Sequence, residues 1–79
     1  MHYWLKPETG ANKVSIPAWT IMFGLEPIGF MTDFPIDGPT ATFVFNEKEV
    51  TLSAISITLL LKKVGKGHDE LMEDLINAE

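Results

Sequence analysis

The residues able to do chemistry in this chain of 79 are few and scattered. His2 and His68 lie at opposite ends. A catalytic pair would need the fold to join them; read singly, each is a solvated or helix-capping histidine. Asp33 and Asp37 stand four apart with Pro35 between them. They can flank a hard cation, but calcium and magnesium sites carry a denser set of oxygen ligands, and both residues are ordinary turn formers. Ser15, Ser53 and Ser56 have no G-x-S-x-G context and read as caps or helix-surface residues. Cysteine is absent, so neither a disulfide nor a thiolate-held metal is available. The expectation is a protein that is not an enzyme, with no catalytic residues, no metal and no cofactor.

Two charged clusters remain. The first is Lys62-Lys63-Val64-Gly65-Lys66-Gly67-His68. It has the outline of a phosphate loop but fails the Walker spacing: Leu60 holds the position of the first glycine, and Gly67 that of the Ser or Thr. Lys62, Lys63 and Lys66 are candidate anion contacts, helped by glycine-freed amides at the start of a following helix. The plainer reading is a helix C-terminus, a two-glycine hinge and a new helix N-terminus. The second cluster is acidic. Residues 1–66 hold six lysines and six acids, so the net charge of −5 lies wholly in the last thirteen residues. Asp69, Glu70, Glu73 and Asp74 are candidate partner-binding residues, because a short helix with acids on one side and a Leu/Met/Ile stripe on the other can dock in a basic groove. The bland alternative is a solvated helix packed on its own sheet. Arginine is absent and the pI is near 4.8, which argues against a dedicated nucleic-acid binder.

These residues must be positioned by one small domain spanning 1–79. Tyr3 and Leu5 alternate with His2 and Trp4, predicting a strand that Pro7 stops; residues 7–12 then read as a loop. Pro17, with Ser15 as cap and Gly24 as stop, predicts a two-turn helix apolar nearly all round; a strand is the rival. A short strand over 28–31 carries Gly29, which suggests a bulge or a close backbone approach. Residues 33–39 read as a turn region whose Phe34 and Ile36 need cover. A hairpin spans 40–52, turning at 46–49.

Ser53 then caps a helix over 54–64, with Ile57, Leu60, Leu61 and Val64 on one face and Ile55 and Leu59 on a second stripe. The segment 55–59 also alternates as a strand. Gly65 ends that helix, and a last one runs over 69–79, capped by Asp69 or His68. The predicted fold class is α+β: a small antiparallel sheet packed with two or three short helices.

Apolar residues make up 46% of the chain, more than a core of this size can hold. The surplus predicts an interface, with Trp19, Met22, Phe23, Ile55 and Leu59 as candidate self-association residues. The partners expected are another protein and a second copy, a homodimer being favoured, with no nucleic acid and no membrane. No run of 18 apolar residues and no signal peptide is visible, so the cytoplasm of a bacterium or an infected cell is the expected place. Composition alone, and no motif, likens the chain to small accessory proteins of phages and mobile elements. The leading expectation is an inhibitor or regulator that occupies a partner's surface; a virion-type assembly component and an anion or nucleotide binder are the alternatives.

Overall fold

The computed structural model describes residues 2–8 and 16–77. The Ser15 cap and the middle of the 7–12 loop lie outside the described residues. Five strands follow one another: β1 Tyr3–Pro7, β2 Ala18–Phe23, β3 Glu26–Phe34, β4 Gly38–Phe45 and β5 Lys48–Ser53. One helix, α1, closes the chain over Ile57–Asn77. The strands form an antiparallel meander in the order β1-β2-β3-β4-β5. The α+β class holds, but the two or three short helices do not: among the described residues there is one helix, of 21 residues.

The corrections have physical causes. The expected helix over 17–24 is strand β2. Alternate residues of β2 meet different surroundings: Ile21 is fully buried in the core, while Met22 turns to the other face. Apolarity on both sides, which suggested a helix, suits a strand in the middle of a half-covered sheet. Ser53 is not a helix cap, because it ends β5 opposite Thr40. The cap is Ser56, whose Oγ accepts from the Leu59 N–H at 3.2 Å and whose carbonyl accepts from Leu60 N–H at 2.9 Å. Segment 55–59 is therefore neither a strand nor the helix start expected: Ile55 and Ser56 form a bend and α1 begins at Ile57.

The 40–52 hairpin is present with a tighter turn than expected. Only Asn46 and Glu47 connect β4 to β5, both with positive φ (51 and 67), as a two-residue turn matched to strand twist requires. Gly29 sits at a register shift, where Ile21 faces Gly29 and Met22 faces Pro27. A Cβ at Gly29 would lie 2.2 Å from the Thr42 carbonyl oxygen, so both readings of this glycine, bulge and close approach, apply.

Register places Leu5, Ile21, Gly29, Phe43 and Val50 in one row across the sheet, and Trp19, Met31, Ala41 and Leu52 in the next. This face receives α1. Ile21, Met31, Ala41 and Phe43 join Leu60 and Val64 as the buried core. The other face carries Lys6, Thr20, Phe30, Thr42 and Thr51 in a row and nothing packs on it within the described chain. Ile36, expected to need cover, is 96% exposed in the β3–β4 turn.

The helix runs unbroken through Gly65 and Gly67, the residues expected to stop and hinge it. Each glycine costs a helix interior roughly 1 kcal/mol relative to alanine, and packing offsets this. Gly65 is buried on the Tyr3 ring, where a Cβ would stand 2.9 Å from Cδ2. Gly67 has more room, its nearest neighbour being Phe43 Cζ at 3.9 Å. Gly65→Ala is therefore expected to destabilise the protein by about 1–3 kcal/mol through overpacking, while Gly67→Ala is neutral or stabilises it by up to about 1 kcal/mol. Urea unfolding of the two variants checks this; equal effects would contradict the packing account.

Candidate functional site

Helix α1 crosses the sheet so that His68 lies only 5% exposed on the core face. Four aromatic rings box it: Tyr3, Phe23, Phe43 and Phe45, with centroids 5.3–5.7 Å away. Tyr3 also stacks on Phe23 at 4.7 Å. The Tyr3 hydroxyl lies 2.7 Å from His68 Nδ1 and 2.7 Å from Asp69 Oδ1. A carboxylate oxygen only accepts, so Tyr3 donates to Asp69 and accepts the Nδ1–H of His68. That order makes Nδ1 a protonated nitrogen of the imidazole.

Burial pushes the His68 pKa below the ordinary imidazole value, against the opposing pull of Asp69 and Glu26. Burial and the Asp69 carboxylate push the Tyr3 phenol well above its own. A phenol held this firmly protonated, bonded to a carboxylate that cannot deprotonate it, is a poor proton-transfer group. The trio is a clasp between the first strand and the helix. The reading of His68 as solvated or capping is thus corrected: it sits in mid-helix and in the core. The fold does bring the N-terminal strand to His68, but through Tyr3; the His2 side chain is exposed.

Beside the clasp lies a groove of about 890 Å³ between β1 and α1. Leu5, Ile57 and Leu61 are among its apolar lining; Lys62 and Lys66 line one part, and Asp69, Glu70 and Glu73 another. The strand beside it is a sheet edge. His2 O accepts from Gly24 N–H and Glu8 N–H donates to Ala18 O, both at 3.0 Å. The even-numbered residues of β1 therefore make the narrow pairs with β2, and Tyr3 and Leu5 turn their N–H and C=O groups outward.

The other sequence-predicted residues are dispersed. Of the acids, Asp69, Glu70 and Glu73 share the groove, while Asp74 lies with Lys48 and Leu75 near the β4–β5 turn. Of the basic residues, Lys62 and Lys66 face the groove, whereas Lys63 Nζ donates to Ser53 O at 3.0 Å. The proposed anion site loses its premise, because no helix begins near Gly65–His68 and their amides lie inside α1. Trp19 and Phe23 belong to the helix-facing side, Met22 to the open face, and Ile55 and Leu59 to the far flank of α1 with Asp37 and Lys63. Among the described residues no group of His, Cys, Asp and Glu is placed to hold a metal, and no helix is long and apolar enough to cross a membrane.

No protein-family model matches the chain, and neither a curated protein nor a solved structure matches it.

The clasp predicts a pH response. Folded His68 takes up its proton at lower pH than the unfolded chain, which does so near the ordinary imidazole pKa of about 6.5. The unfolded state then binds more protons, so stability falls as pH drops through and below that value. Denaturant midpoints between pH 7 and pH 5 are expected to fall in the native protein and to flatten in His68→Gln; parallel curves would refute the assignment. Tyr3→Phe leaves the buried Nδ1–H without its acceptor, and is expected to cost about 1–3 kcal/mol.

Proposed function

We propose that the chain is a non-enzymatic binding protein, an inhibitor or regulator that occupies the surface of another protein. One observation carries this reading: the C-terminal half of α1 combines acids with uncovered apolar side chains. Glu70, Glu73 and Asp74 are exposed there, beside Leu75 at 48% and Ile76 at 69% exposure. Apolar groups left in water within a charged frame are how a docking face is built. The partner that fits is a protein with a basic groove, which the acids would enter while Leu75 and Ile76 fill its floor.

The acids do not serve the helix itself. They sit at its C-terminal end, where the macrodipole favours cations, and the last turn holds no basic residue. Their placement supports an external use.

Immobilised protein is expected to retain a host protein from native lysate in stoichiometric amount. Asp74→Lys combined with Ile76→Ser, both at exposed positions outside the β1 groove, should weaken that capture at least tenfold with an unchanged circular dichroism spectrum. Equal capture by the variant and the native protein would remove the helix end from the binding face.

A further inference from the structure

We infer that the groove between β1 and α1 receives a second copy of this chain, with β1 pairing antiparallel to β1 about a two-fold axis. The pairing takes Glu70 and Glu73 into the self-contact and leaves Asp74, Leu75 and Ile76, outside that groove, for the partner protein.

The first argument is the edge. Tyr3 and Leu5 present outward N–H and C=O groups, as the hydrogen bonds at His2 and Glu8 establish. An edge of this kind is a template for another strand. Symmetric pairing centred on Trp4 sets Tyr3 opposite Leu5 of the second copy, and Leu5 opposite its Tyr3, as reciprocal hydrogen-bonded pairs. Pro7, which lacks an N–H, falls outside those pairs.

The second argument is charge. Along one side of α1 the groove runs from Lys62 and Lys66 to Asp69, Glu70 and Glu73. Because β1 and α1 border the same groove, a two-fold axis through β1 also sets the helices antiparallel. Lysines of one copy then face acids of the other, in both directions. A basic ligand would meet Lys62 and Lys66, and an acidic one would meet Glu70 and Glu73. A segregated surface matched to its own reverse is what an isologous interface requires.

The test uses two variants of exposed residues. Lys62→Glu with Lys66→Glu makes the groove acidic; Glu70→Lys with Glu73→Lys makes it basic. Asp69 is kept for the Tyr3 clasp. In sedimentation equilibrium the native chain is expected at twice its 8.8 kDa, each variant at the single mass, and their equimolar mixture again at the double mass. A native protein at the single mass, variants that each dimerise alone, or a mixture that stays monomeric would overturn the proposal.

A second measurement checks the register. His2 and Lys6 of opposite copies face each other in this pairing. Positions four apart on one strand lie about 13 Å from each other, too far for a disulfide within the chain. His2→Cys with Lys6→Cys in the otherwise cysteine-free chain should give a covalent dimer on mild oxidation. A product that stays monomeric would refute the β1–β1 register. Neither result depends on whether Asp74 and Ile76 govern partner capture.

Discussion

The contact between Tyr3 and His68 spans 65 positions of sequence and ties the first strand to the last helix. A polar ring in an aromatic box is costly unless its N–H is satisfied. Here the Tyr3 hydroxyl satisfies it, and Asp69 takes the hydroxyl's own proton. Each member therefore constrains the next. Sliding α1 by one residue would carry His68 off the core face and break the whole chain of bonds. The apolar stripe Leu60, Val64 and Leu71 is more tolerant, because aliphatic contacts are non-directional. Directional bonding at His68 thus sets the helix register that greasy packing alone would leave loose.

That clasp also explains which parts of the fold were legible. The 40–52 hairpin follows from simple alternation and a turn of two residues. The face Ile57, Leu60, Leu61, Val64 follows from helical spacing, and it is the face that packs. Two things misled. Ala18–Phe23 is apolar at nearly every position, so period 2 and period 3.6 fit equally well, and Pro17 tipped the reading to helix. Gly65 and Gly67 look like punctuation. Gly65 is in fact the thin place that lets α1 lie against Tyr3, whereas Gly67 leaves room for a side chain beside Phe43. The missed signal was available: Leu60, Val64, His68 and Leu71 continue one stripe straight through both glycines. A helix drawn across them would have placed His68 inside the core from sequence alone.

Part of the apolar surplus stands on the surface. One helix covers one sheet face, so among the described residues nothing covers the other face or the two edges. Leu25, Ile36 and Ile55 are each more than 90% exposed. The two edges differ in a more telling way. On the β5 side, Lys63 bonds the Ser53 carbonyl and charged Lys48 and Glu49 stand on the strand, devices that discourage strand addition. On β1 the span Tyr3-Trp4-Leu5 has no such guard, and protection begins only at Lys6 and Pro7. The unguarded edge is the one beside the groove.

Charge completes the argument. Read as two helices, the sequence places each charge where a helix dipole wants it, with lysines at one C-terminus and acids at the next N-terminus. The continuous helix reverses that meaning. Lys62, Lys63 and Lys66 fall in the first half of α1 and the acids in the second, with no acid in the first turn and no base in the last. The macrodipole acts within the terminal turns, where it weighs on Asp74 by a few tenths of a kcal/mol. The order of charges is therefore not explained by helix stability; in the proposed two-fold pairing, lysines of one helix would meet acids of the other.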